Sequence, residues 1–131
     1  MCEEERSFKY VGGYCLFFGT TLETYDNANQ NCNDMGTILF EPRNEEINEK
    51  VGNKGRDLSQ NYWIGINDKM KTQGDYRFES DDTSADWYTD TIPTSPNANC
   101  IQYSGGNLSK WRASDCTTLA LYICQKPRLL P

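Results

Sequence analysis

Histidine is missing from the 131 residues, which removes the Ser–His and Cys–His nucleophile pairs and the mixed cysteine–histidine zinc sites. No two cysteines form a Cys-x-x-Cys pair, so an all-cysteine zinc site of ordinary spacing is excluded too. No apolar run approaches the roughly 18 residues that cross a bilayer. Basic residues are missing from one long stretch: between Arg77 and Lys110 there is neither Lys nor Arg. That stretch holds Glu79, Asp81, Asp82, Asp86 and Asp90, so its −5 accounts for most of the net charge of −6. A net charge of this sign argues against nucleic acid as a partner, because backbone phosphates need a basic face. Two carboxylates acting on a glycosidic bond would need no histidine, but nothing singles out a pair. The chain reads as a non-enzyme, with no catalytic residue.

What the chain does have is cysteine. Six cysteines in a polar sequence of mean hydropathy −0.78 read as a disulfide framework made in an oxidising compartment, and the expected setting is secreted or extracellular. Met1 is followed at once by Cys2 and Glu3-Glu4-Glu5 rather than by an apolar leader. The expectation is a mature chain, or the ectodomain of a membrane-anchored parent. The length fits one domain, residues 1–131.

Local patterns give the elements. Phe8-Lys9-Tyr10 and Tyr14 to Phe18 flank Gly12-Gly13 and predict a hairpin. Tyr25, Ala28, Cys32 and Met35 recur at helical spacing behind the cap Thr24, and Gly36 closes that helix. Asn44 starts a second helix with Glu45 and Glu46 in its first turn, Lys50 in its last, and Gly52 at its end. Tyr62 to Ile66 is an apolar strand. About Ser80 to Asn99 holds almost no aliphatic residue but has Pro93 and Pro96, so it reads as a long loop, of a length that is usually functional or disordered. Strands return at Cys100–Tyr103, Trp111–Ala113 and Leu119–Cys124. Trp63 and Trp111 are assigned to the core, and Trp87 is expected to pack beneath the loop. Tyr88 is expected to point outward as a contact residue. Lys50, Lys54, Arg56, Lys69 and Lys71 are candidates for a positive patch opposite the acidic loop. Asn107-Leu108-Ser109 is a glycosylation sequon in a turn, with Asn107 the acceptor.

Four motifs in order carry a resemblance. They are Tyr25, Ala28 and Cys32 on the first helix; Trp63-Ile64-Gly65-Ile66-Asn67-Asp68; Trp111 five residues before Cys116, which lies eight before Cys124; and the close Tyr122-Ile123-Cys124-Gln125-Lys126. Over nearly its whole length the chain resembles the C-type lectin-like domain. The resemblance implies an α+β fold of two helices flanking antiparallel strands, with the long loop at one end. It also implies one of the 15 pairings that six cysteines allow: Cys32 with Cys124, Cys100 with Cys116, and Cys2 with Cys15 as the bridge of the long form.

The resemblance further implies a Ca²⁺ in the long loop, held by carboxylate and amide oxygens, and here the sequence departs from the family. The acidic or amide triplet aligns with Ile92-Pro93-Thr94 or Ser95-Pro96-Asn97, Ala98 stands where a Glu belongs, and Arg112-Ala113 replaces Asn-Asp. Asp68 matches an auxiliary ligand, but Gln73 and Gln125 replace acidic partners. The expected site therefore has no metal and no cofactor, although the five carboxylates of the acidic loop leave unconventional calcium binding open. The function implied is recognition of an extracellular protein or glycan without the calcium-bridged sugar contact. A basic partner surface would complement the loop. The candidate ligand-binding residues are Tyr88, Asp90, Asn97, Asn99 and Arg112, with Glu79, Asp81, Asp82 and Asp86 as the acidic loop. A lectin with a non-standard calcium site, and an ice-binding or mineral-matrix protein on the same fold, are the alternatives.

Overall fold

The computed structural model of the chain describes residues 8–93, 95, 97–106 and 109–127, without the side chains of 54 and 55. The hairpin forms as β1 (Phe8–Val11) and β2 (Tyr14–Phe18), with Val11 opposite Tyr14 across the Gly12-Gly13 turn. Helix α1 (Tyr25–Asp34) starts where Thr24 Oγ1 accepts from the Asn27 amide at 3.2 Å. It ends in a Schellman turn, in which the Thr37 amide donates to Cys32 O and the Gly36 amide to Asn33 O. Gly36 takes φ +75° there, a conformation a β-carbon would strain. Met35, expected on the inward face, is exposed at this cap.

After β3 (Ile38–Leu39), α2 (Glu45–Lys50) is capped by Asn44 Oδ1, which accepts from the Ile47 amide at 3.0 Å. The helix does not stop at Gly52 as expected. It continues through a π-helical turn over Val51–Gly55, because Gly52 packs against Ser109, leaving a β-carbon only 2.5 Å from the Ser109 Cα.

Strands β4 (Tyr62–Asn67), β5 (Arg77–Phe78), β6 (Cys100–Tyr103), β7 (Trp111–Ser114) and β8 (Leu121–Gln125) complete the elements. The order is β1-β2-β8-β4-β6-β7, with β3 on β8 and β5 on β4. All pairs are antiparallel except β4 with β8, which is parallel, so the sheet is mixed where antiparallel strands were expected. That pairing brings the central strand beside the last one. Gly65 lets the chain between β3 and α2 approach β4: its amide donates to Phe40 O at 2.7 Å, and a β-carbon would meet Leu39 O at 2.9 Å.

Two buried clusters result. One holds Tyr25, Ala28 and Cys32 of α1 against Leu39, Trp63 and Cys124, with Trp63 Nε1 donating to Glu23 O at 2.8 Å. The other gathers Phe40, Ile47, Val51, Ile64, Tyr103 and Trp111 beneath the long loop. Cys32–Cys124 bridges 92 positions and Cys100–Cys116 bridges 16, the pairings the resemblance implied. In the chain-entropy account these contribute roughly 4–5 and about 3 kcal/mol. The third expected bridge ends on Cys2, outside the described residues.

Arg56, expected on a surface patch, is instead buried. Its guanidinium donates to Gly52 O at 3.1 Å, Gln60 O at 2.6 Å and Ser104 O at 3.1 Å, tying three segments together. Lys69 pairs with Asp26 at 2.8 Å and Lys71 with Asp82 at 3.2 Å, so these three of the five expected patch residues are committed to partners of their own.

Candidate functional site

The long loop lies over Trp111, and the geometry there begins with a buried amide. Asn48 of α2 accepts from Tyr103 Oη and from Trp111 Nε1, both at 2.8 Å, through one oxygen. Its nitrogen donates to Ser109 O at 3.1 Å. This fixes the plane of Trp111, and Tyr88 stacks on that plane, with centroids 3.9 Å apart and an angle of 5°. The Trp111 amide donates to Tyr88 Oη at 3.0 Å. Trp87 meets both rings edge-on and donates to Pro42 O at 3.1 Å, so it packs beneath the loop as expected. Tyr88 does not point outward: it is half-buried and clamped. Burial raises its phenol pKa above the ordinary value.

Beside this stack, a cleft of about 510 Å³ opens between the segments around 73–76 and 84–92, walled by Tyr76, Tyr88, Ile92 and Trp111. Asp75, Asp86 and Asp90 lie at its lining, which contains no Lys or Arg. A smaller recess of about 90 Å³ shares Tyr88 and Asp90 and is bounded by Glu45, Glu49 and Lys110.

The acidic loop is divided. Glu79 turns back to α1, accepting from Tyr25 Oη at 2.9 Å and Asn67 Nδ2 at 3.0 Å. Asp81 accepts from the Thr83 hydroxyl at 2.7 Å and amide at 3.1 Å and pairs with Arg43 at 3.1 Å. Those bonds, with Thr83 first, hold its carboxyl below the ordinary range. Asp82 pairs with Lys71, Asp75 with Arg77 at 3.1 Å, and Asp90 with Lys110. Asp86 makes no side-chain hydrogen bond or ion pair among the described residues. A five-carboxylate chelate is therefore not assembled, and no group of three or more acidic or cysteine side chains is placed to hold a metal among the described residues.

A family model described as the lectin C-type domain matches residues 21–126. The chain belongs to that family. It is 30% identical over 118 residues to human C-type lectin domain family 3 member A and 31% identical over 120 residues to mouse tetranectin. Each match covers 85% of this chain, which spans 58% of those relatives' length. Among solved structures, a calcium-independent type II antifreeze protein superposes with a TM-score of 0.78 at 23% identity, over 98% of this chain and 96% of that one.

Against the C-type lectin domain, the positions where calcium donors were expected have a consistent placement. Ala98 is 2% exposed and Ala113 is 5% exposed, both within the core cluster under the loop. Arg112, between inward-facing Trp111 and Ala113, is exposed and without a side-chain partner among the described residues. Asn97 is exposed with φ +67°, and Asn99 is half-buried with its carbonyl accepting from the Asp68 amide at 3.0 Å. Thr94, Pro96 and the sequon residue Asn107 lie outside the described residues. Gln125 is buried and accepts from the Glu41 amide at 2.7 Å, a backbone tie. Asp68 is 2% exposed: one oxygen accepts from the Gly74 amide at 2.8 Å, and the other has no hydrogen-bond partner. Among the described residues, two of the expected donor positions thus present alanine methyls and one presents a buried carboxylate.

Of the expected ligand residues, Tyr88 and Asp90 come together at the cleft, and Asp86 joins them. Asn97, Asn99 and Arg112 are not among the residues lining it. Sequence reasoning missed Asn48, Asp75 and Tyr76. The one available signal was Asn48 itself, an amide beside Ile47 on the apolar side of a short helix.

Proposed function

We propose that the chain is an extracellular recognition module that binds a protein ligand at its loop face, without catalysis and without a calcium-bridged sugar contact. The observation that carries this reading is the burial of Ala98 and Ala113 in the core at the donor positions. An apolar side chain packed inward offers the ion no oxygen. The aromatic cleft supports a protein ligand, since clamped Tyr and Trp side chains contribute contact area at little conformational cost. The two long-range disulfides support the extracellular setting.

A second reading is favoured by Asp68, whose buried oxygen lacks a partner: a lectin using a non-standard calcium site there. Calorimetric titration with Ca²⁺, together with glycan-array binding with and without EDTA, separates the two. The proposal expects no saturable calcium heat and no EDTA-sensitive glycan signal. Saturable calcium binding accompanied by EDTA-sensitive glycan retention would overturn it.

A further inference from the structure

The cleft beside Tyr88 combines three properties in one place. Its walls are aromatic, from Tyr76, Tyr88 and Trp111. Its polar lining includes three carboxylates, Asp75, Asp86 and Asp90, and no cationic side chain. Two of those carboxylates have cations of their own, Arg77 for Asp75 and Lys110 for Asp90, which leaves Asp86 as the carboxylate without one among the described residues. The cleft volume, about 510 Å³, lies within the range of small-ligand sites.

We infer that this cleft receives an arginine side chain of the protein ligand, its guanidinium lying against the Tyr88 and Tyr76 walls and donating to the Asp86 carboxylate. The choice of arginine follows from the lining. A planar, weakly hydrated guanidinium stacks on aromatic rings and donates two parallel hydrogen bonds to a carboxylate. A lysine ammonium is a compact, strongly hydrated point charge that uses neither feature fully. Tyr88 is held for this contact before the ligand arrives, by Trp111 on one ring face and the Trp111 amide at its hydroxyl. Little side-chain freedom is then lost on binding.

The inference rests on the loop face being the recognition surface, and its test is independent of calcium. N-acetyl-arginine-amide is titrated into the intact, disulfide-bonded chain and followed by amide and indole NMR shifts. The neutral isostere N-acetyl-citrulline-amide and N-acetyl-lysine-amide are run alongside. The expected result is saturable binding of the arginine probe at about 1 mM, with shifts centred on Gly74, Ser84, Tyr88 and the Trp111 indole. Citrulline is expected not to saturate, and lysine to bind several-fold more weakly. Asp86→Asn, a change at an exposed position, is expected to weaken the arginine probe about fivefold while leaving the spectrum folded. Equal binding of arginine and citrulline, shifts outside the cleft, or unchanged affinity in D86N would each overturn the inference. Any of these with silent calcium calorimetry sinks the arginine assignment alone. EDTA-sensitive glycan binding sinks the underlying reading instead.

Discussion

Replacing Asn48 with alanine tests the support under the aromatic stack. The substitution removes three hydrogen bonds, to Tyr103, Trp111 and Ser109. The consequences differ among the three partners. Tyr103 Oη keeps a second acceptor, the Asn48 carbonyl at 3.2 Å, which alanine also supplies. Trp111 is buried, so its indole N–H is left without a partner and incurs the full desolvation penalty of about 1–3 kcal/mol. The two remaining bonds contribute roughly 1 kcal/mol each at most. The expected loss is therefore about 3 kcal/mol, equivalent to a drop in Tm of about 10 °C for a domain of this size. Urea unfolding of the oxidised protein, followed by tryptophan fluorescence, measures the loss. Near-UV circular dichroism reports the Trp111–Tyr88 stack in the same samples. Tyr103→Phe is the control: it deletes a hydroxyl that has two acceptors near one donor, and is expected to cost less than half as much. If N48A lost under about 1 kcal/mol, or Y103F lost as much as N48A, the assignment of the cost to the stranded indole would be refuted.

Two further outcomes are expected. Burial raises the phenol pKa values of Tyr103, Tyr25, Tyr62 and Tyr88 above the ordinary 10.0, with Glu79 adding to the effect at Tyr25. A group whose folded pKa exceeds its unfolded one contributes stability that is complete below pH about 10 and lost as the pH climbs toward the folded values. Alkaline titration at 295 nm should thus show part of the tyrosinate signal appearing in step with unfolding, and full ionisation with the near-UV spectrum intact would contradict this. At Arg56, lysine has one nitrogen where the guanidinium reaches carbonyls of three segments, so Arg56→Lys should lower the urea-derived stability by about 2 kcal/mol. Wild-type stability in R56K would show that the three carbonyls are satisfied without the fork.

The secondary structure was legible wherever a local rule acts alone. Thr24 and Asn44 cap their helices because a short oxygen-bearing side chain next to an apolar period has one good use, and the Cys32–Cys124 and Cys100–Cys116 pairs are those the family resemblance implied. What the sequence concealed depends on partners distant along the chain. Arg56 looks like any surface cation until Gly52, Gln60 and Ser104 converge on it. Tyr88 reads as exposed because it lies in a polar loop, yet the ring that covers it, Trp111, lies 23 positions away. The acidic stretch presents a uniform charge in one dimension and separates in three, because Arg43, Lys71 and Lys110 arrive from outside it or at its edge. The cleft was unreadable for the same reason: it exists only where two loop segments face a tryptophan fixed by a helix elsewhere.

The Cys32–Cys124 bridge also determines how the molecule bears a pull. Tension applied between Phe8 and Pro127 would run from the first hairpin through α1, cross the sulfur–sulfur bond, and leave by β8, bypassing residues 33–123 between the two cysteines. Only the outer segments would pay out, roughly 100 Å of extended chain. The residues that line the cleft, Gln73 to Trp111, all lie within the stretch that the bond takes out of the loaded path.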